Sequence, residues 1–307
     1  MAFSCRKRIS VFISGQESLF YDYKIPGQDT AHALAAQKPV LVFIHGLGDE
    51  ADTWRHIIPI MGAKGYRCIA PDLYGFGRSH LATKFPAQCR GRISLTRHAK
   101  TVIQLMAQSG INADRPAVLI GSSMGCGIAQ LIAAKKPELV QAMVLIDGCF
   151  PSSGKVNKGL LFLCLPVIGK RWYRSFRKNH EAAWKSLYPY YYNIETMSEE
   201  DKQFLRKRVI ARVESENQVH GYFASLRSMV AALLFSKKSL SRRIKQFSGK
   251  LLLVWGEHDH IMPVENTAVF RALQPGAILK NIADAGHLPH QEKPQETAEA
   301  ILDFLAE

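Results

Sequence analysis

The chain has 307 residues, long enough for one large α/β unit that carries an insertion, and its 47% hydrophobic content supplies a core. No apolar run approaches the roughly 18 residues of a membrane-spanning helix, so no such segment is expected. The formal net charge of +14 invites a nucleic-acid partner, but no RNP, zinc-finger or helix-turn-helix signature accompanies it, and none is expected.

In chain order, residues 1–8 are basic, yet the following apolar run, 9–13, is short and lacks a small-residue cleavage pattern. A secretory leader is therefore not expected. Residues 9–13 and 19–25 read as an antiparallel hairpin at the edge of a sheet. Residues 38–45 form a continuous apolar strand that ends in the turn His45-Gly-Leu-Gly48. A second strand, 66–72, ends in the glycine-rich loop Gly75-Phe-Gly-Arg-Ser79. From Ser94 to Gly110 the spacing is helical, with Ala99, Val102, Ile103, Leu105 and Met106 on one face. A strand at 117–120 and a helix around 128–134 follow, then a strand at 142–147. After a long interval come a strand at 250–256, a helix at 265–273, a strand at 277–282 and a last helix from Pro294. Apolar runs without alternation, separated by helix-length segments, predict a parallel sheet covered on both faces.

Between 151 and 248 the rhythm breaks into helical, basic and aromatic segments with no convincing strand. This stretch holds 19 Lys and Arg against 7 Asp and Glu, so it carries +12 of the +14. It reads as an inserted helical cap, which divides the chain into 1–150, 151–248 and 249–307. Its basic surface is either a solvated helical face or a face turned toward anionic lipid or substrate. Residues 158–171 form an apolar run bracketed by cations. They read as a cap helix bent by Pro166, an interfacial segment or an acyl-chain wall. Residues 229–235 offer a second apolar wall, and Tyr188-Pro-Tyr-Tyr-Tyr192 an aromatic entrance. The six cysteines show neither a CxxC pair nor a metal-like spacing, which points to a reducing, cytoplasmic setting.

The corner between the strand at 117–120 and its helix, Gly121-Ser-Ser-Met-Gly-Cys-Gly127, carries the chemistry. Gly125-Cys-Gly127 gives a G-x-G, and Asp147 falls where a ribose-binding acid would lie. But Gln130 replaces the third small residue, and no G-K-[ST] follows, so dinucleotide and P-loop sites are not expected. Gly121-Ser-Ser-Met-Gly125 instead reads as G-x-S-x-G, a turn tight enough to lift the Ser123 hydroxyl above the sheet at a helix N-terminus. Ser122 competes but lacks a glycine two residues before it. Downstream, Asp259 follows one strand and His287 the next.

The order Ser123, Asp259, His287, each after a strand, resembles the α/β-hydrolase superfamily. So do the turn His45–Gly48, the D-x-x-G-x-G-x-S run from Asp72 to Ser79, and the G-H-x-P-x-x-E-x-P run from Gly286 to Pro294. The resemblance covers 36–150 and 249–307, and matches the cap only in position and helical character. It implies the α/β-hydrolase fold: a mostly parallel sheet flanked by helices, with an inserted cap. It also implies Ser123 as nucleophile, His287 as base, Asp259 as acid, and the backbone N–H groups of Leu47 and Met124 as the oxyanion hole. Asp147 also ends a strand and is the alternative acid. His45 is expected to organise the oxyanion turn, and His290 to be a polar packing position. Cys126 is expected to fill space. His258 and His260 flank Asp259 but lack companion metal ligands, so neither metal nor cofactor is expected.

Serine at 123 argues against the epoxide hydrolases and dehalogenases of this fold, which attack through a carboxylate. Leu288 stands where carbon–carbon bond hydrolases commonly carry an aromatic, and Leu47 where cofactor-free haloperoxidases do. Ester hydrolysis on an apolar acyl group is therefore the leading expectation, of esterase or monoacylglycerol-lipase type. Carbon–carbon bond or thioester cleavage is the enzyme alternative. The non-enzyme alternative is a ligand-binding or membrane-docking protein that keeps the fold. The expected partner is a small-molecule ester with an apolar acyl group, and an anionic membrane surface facing the basic cap is a second candidate, alongside the reading of that face as merely solvated.

Overall fold

A computed structural model describes residues 6–13, 16–23, 38–79, 93–148, 150–151, 162–235 and 237–307. Eight strands form one sheet in the order β1-β2-β4-β3-β5-β6-β7-β8. They are β1 (Arg6–Ile13), β2 (Gln16–Tyr23), β3 (Leu41–Ile44), β4 (Cys68–Pro71), β5 (Ala117–Ser122), β6 (Val140–Ile146), β7 (Lys250–Gly256) and β8 (Ile278–Ile282). The first two form the expected edge hairpin, and β2 also runs antiparallel to β4. From β4 to β8 every neighbouring pair is parallel.

The lack of alternation in the strands has a direct cause. In β5, Ala117 and Leu119 enter one core cluster while Val118 and Ile120 enter the other. Helices α2 (Leu95–Gln108) and α3 (Met124–Lys135) cover the first face through Leu95, Ala99, Val102, Ile128 and Ile132. Helices α1 (Ile57–Ala63) and α11 (Pro294–Ala306) cover the second through Ile57, Met61, Ile301 and Phe304. Helix α2 begins where the sequence places it, because the Ser94 hydroxyl caps it by accepting the Arg97 N–H at 3.2 Å.

Between β6 and β7 the described residues hold helices and no strand: α4 (Pro166–Ser175), α5 (His180–Lys185), α6 (Glu199–Glu214), α7 (Glu216–Phe235) and α8 (Lys237–Lys245). Pro166 begins α4 rather than bending a longer helix, which corrects the sequence reading. A missing N–H costs nothing in a first turn, so proline is at home there. The start of the apolar run, 158–161, lies outside the described residues.

These helices are tied to the sheet by polar bonds at defined points. Buried His98 on α2 bonds Ser225 of α7 at 2.9 Å, and the Leu95 N–H donates to Ser228 at 3.1 Å. Burial holds His98 down to about 3, with His45 and Arg97 adding to the effect, so its ring is neutral. On α6, Arg212 meets Asp49 at 2.6 Å, and Arg208 pairs with buried Glu50. Arg55 and His56 both reach Asp201 at the start of α6, at 2.6 and 2.7 Å. Part of the excess positive charge is thus spent on carboxylates of the segment that follows β3.

The parallel strands point their C-terminal ends the same way. Strand order reverses between β3 and β5, where such sheets open a crevice. The turn after β3 and the serine corner after β5 flank that crevice, and α4, α6 and α7 contribute side chains to the cavity there.

Candidate active site

Strand β5 ends at Ser122 and α3 starts at Met124, so Ser123 alone makes the corner. Its φ is 51° and its ψ −114°, a conformation that L residues rarely adopt and that persists only when the surroundings enforce it. The Ser123 N–H is fixed to Ile146 O of β6 at 2.9 Å. A Cβ at Gly121 would stand 2.6 Å from Cys126 N, so only glycine lets the helix fold back on its strand. Ser122, the competing hydroxyl, is buried with its oxygen enclosed.

Asp259 and His287 arrive from the loops after β7 and β8. His287 Nδ1 lies 2.7 Å from Asp259 Oδ2, and His287 Nε2 lies 2.9 Å from Ser123 Oγ. The carboxylate accepts only a proton-bearing nitrogen, so Nδ1 carries the hydrogen and the Nε2 lone pair accepts the serine O–H. Asp259 is aimed by its own loop, since its Oδ1 accepts the Ile261 and Met262 N–H groups at 2.8 and 2.9 Å. The histidine loop is held from two sides. His287 N donates to Tyr190 O at 2.9 Å, and Glu292 accepts the Gly286, Tyr192 and Asn193 N–H groups. Burial raises the Glu292 pKa against the lowering effect of those donors.

The turn after β3 lies against the serine: a Cβ on Gly46 would be 3.3 Å from Ser123 Cβ. Leu47 and Met124 both face the cavity beside Ser123. His45 shapes this turn. Its Nδ1 meets Gly46 O at 2.8 Å and its Nε2 accepts the Leu73 N–H at 2.9 Å, so the ring bridges the turns after β3 and β4. Burial lowers its pKa, consistent with a neutral ring that donates on one side and accepts on the other. The Asp72 carboxylate gathers the Ala51 N–H, the Arg78 N–H and the Arg78 guanidinium, which fixes the loop from Asp72 to Ser79.

Of the other candidates, His290 packs 4.5 Å from the Trp54 ring and bonds the Thr53 hydroxyl at 2.9 Å, and burial holds it down to about 3. His258 stacks on Tyr192 at 4.1 Å, which makes it a packing residue. The Cys126 thiol is buried against the Gly121 and Ile146 carbonyls at 3.2 and 3.3 Å. Gln130, the residue that spoils the dinucleotide pattern, clamps Phe150 through both its backbone N–H and its carbonyl. Among the described residues, Asp147, Asp259 and His287 form the one group with metal-capable spacing. Two of these groups already meet each other, His287 Nδ1 and Asp259 Oδ2 lying 2.7 Å apart, a hydrogen-bond distance.

A cavity of about 520 Å³ opens above Ser123. Its walls are mostly apolar, and Phe150, Trp172, Phe176, Met229 and Leu233 are among the residues that line it. The expected second wall from 229–235 is therefore present, as is an aromatic contribution from Tyr190 and Tyr191. Sequence reading missed Asp49 and Arg212, an ion pair on the cavity wall whose partners are far apart in the chain. It also missed the closeness of Asp147 to Asp259.

The family model for the alpha/beta hydrolase fold matches residues 39–294. Among curated proteins, an uncharacterised hydrolase of Bacillus subtilis, YugF, is 27% identical over 95% of this chain and 96% of its own. Lipase 1 of Psychrobacter immobilis is 26% identical over 86% of this chain and 76% of its own. A solved structure described as a membrane phospholipase A, a bacterial virulence factor, superposes with a TM-score of 0.70 at 25% identity. That match covers 98% of this chain and 86% of the other.

Proposed function

The chain belongs to the alpha/beta hydrolase fold family, and from that membership we propose that it cleaves carboxylic esters of apolar acyl groups through an acyl-enzyme on Ser123. The observation that carries this reading is the unbroken chain Ser123 Oγ, His287, Asp259 with links of 2.9 and 2.7 Å, at the floor of a largely apolar cavity. Ser123 Oγ attacks the ester carbonyl carbon while His287 Nε2 takes its proton. The carbonyl oxygen becomes an oxyanion, received by the N–H groups of Leu47 and Met124; one such donor is worth about 2.7–4 kcal/mol in a comparable enzyme. Collapse breaks the C–O bond as His287 returns the proton to the departing alcohol. Water then repeats the sequence on the acyl-enzyme, and Asp259 holds the imidazole throughout. Residues 151–248 act as the cap that roofs the acyl site.

The test is labelling with a fluorophosphonate probe, which reacts only with an activated serine. Wild type and Ser122→Ala are expected to label and Ser123→Ala to stay dark; folded wild type that does not label removes the reading. A p-nitrophenyl ester series then reports the acyl site. Each added CH₂ is expected to raise kcat/KM by about three- to fourfold until the cavity is full. A flat series would return the chemistry to thioester or carbon–carbon bond cleavage.

The same reading gives the basic cap a partner, an anionic lipid surface. Val167 and Phe235 are 74% and 84% exposed, Ile168 and Trp172 are also exposed, and Trp172 lines the cavity. Cations are interleaved with them, Lys170 and Arg171 between Ile168 and Trp172 and Lys238 just after Phe235. Exposed apolar side chains with cations near them in sequence, one of them on the cavity wall, suit an interface of acyl chains and anionic headgroups. No described helix is long and apolar enough to cross a membrane, so the attachment proposed is peripheral. Wild type is expected to sediment with phosphatidylglycerol vesicles and to be released by high salt. The Val167→Ser/Phe235→Ser double variant is expected to stay in solution while still hydrolysing a short soluble ester. Wild type that ignores anionic vesicles would overturn the docking proposal.

A further inference from the structure

Asp147 is a fully buried carboxyl group that the hydrolytic steps leave unused. It follows the last residue of β6 with φ at 47°, in the left-handed region, so its placement is enforced by the fold. The Asp147 N–H donates to Val254 O at 3.0 Å, and Asp147 Oδ1 accepts the Gly256 N–H at 3.0 Å. Both bonds go to β7, the strand that leads into Asp259. The second oxygen, Oδ2, is buried and receives no donor from the described residues.

One carboxylate oxygen of Asp147, one of Asp259 and one ring nitrogen of His287 lie within 4.8 Å of one another. Two carboxylates so close in a buried site do not both keep a negative charge. The donors decide between them. Asp259 faces three, the Ile261 and Met262 N–H groups and His287 Nδ1, whereas Asp147 faces one. The charge therefore rests on Asp259 and the proton on Asp147, where an O–H turns the orphaned oxygen into a donor.

We propose that Asp147 is a positioning residue whose protonated carboxyl donates to Asp259 and holds the acid of the triad against His287 with a single negative charge. This rests on the reading of Ser123, His287 and Asp259 as a triad. The surroundings agree: burial first, then the charge of Asp259, raise the Asp147 pKa well above the usual carboxylate range, and the more distant Glu292 adds to this. The titratable groups that face it are Asp259 after β7, His287 after β8 and Glu292 on the short helix α10 (Pro289–Glu292). A second negative charge here would over-stabilise the imidazolium and slow return of the proton to the leaving group.

The first test does not need activity, so its failure is distinct from failure of the hydrolase reading. Infrared spectra of wild type labelled with 13C-aspartate should show the carbonyl band of a protonated aspartic acid at neutral pH, separated by the label from any band of Glu292. Asp147→Asn should remove it. Absence of the band in wild type overturns the proposal even if no variant folds. The second test is the pH profile of kcat/KM. Asp147→Asn keeps a donor and adds no charge, so the acid limb should stay in place. If Asp147 were ionised, the same change would remove a negative charge and move that limb down by about one pH unit. Asp147→Ala should lower kcat by about ten- to a hundredfold with KM unchanged, because Asp259 loses its support. Loss of both kcat and KM in Asp147→Ala, unrescued in Asp147→Asn, would mark a merely structural residue.

Discussion

Ser123→Ala is expected to lower kcat for a soluble ester by about 10⁶-fold, and His287→Ala by nearly as much, with the double variant no worse than either. In the proposed mechanism the two side chains form one device: the hydroxyl is a poor nucleophile until Nε2, 2.9 Å away, removes its proton, and the imidazole has nothing to activate without the hydroxyl. KM should change little, because the apolar cavity walls are untouched. Steady-state kinetics on the three variants check this. Additive losses would mean that the groups act separately, and Ser123→Ala retaining a few per cent of activity would place the nucleophile elsewhere. Ser122 is a poor substitute, being only 1% exposed.

The elements that position these groups were legible where local chemistry is strong. Strands buried on both faces write themselves as unbroken apolar runs, and Ser123 and Asp259 each follow one; His287 follows β8, an edge strand of mixed sequence (ILKNI) in which only Ile282 is buried. Helix α1 was not legible, because Pro59 and Gly62 interrupt its pattern. Proline in the first turn gives up an N–H that has no helical acceptor anyway, so the helix forms regardless. Pro166 misled for the same reason, read as a bend where it is a start. The pairs between Asp49 or Glu50 and α6 join residues some 160 positions apart, which no periodicity reports. Asp147 and Asp259 were each visible as the end of a strand. That they face each other follows only from β6 lying next to β7 in the sheet.

Gly125→Ala is expected to destabilise the protein by at least about 3 kcal/mol, the upper end of the range for overpacking, and to impair catalysis in whatever fraction folds. A Cβ at Gly125 would stand well inside contact distance of the Ile44 carbonyl oxygen and 2.9 Å from His45 O. Both are backbone atoms at the end of β3, so no rotamer change relieves the clash. Relief needs α3 to move away from β3, or β3 and the turn after it to move away from α3. Either shift separates Ser123 at the head of α3 from Leu47, the geometry on which the proposed oxyanion binding depends. The control is Gly65→Ala, where a Cβ meets nothing within 4 Å and only the positive φ of 83° opposes the change. That strain costs about 1–2 kcal/mol and lies far from the corner. Urea midpoints and kcat for the two variants separate the effects. Gly65→Ala should lose a little stability and no activity, whereas Gly125→Ala should lose both. A Gly125→Ala protein with the wild-type midpoint would show that strand and helix do not meet as closely as this corner requires.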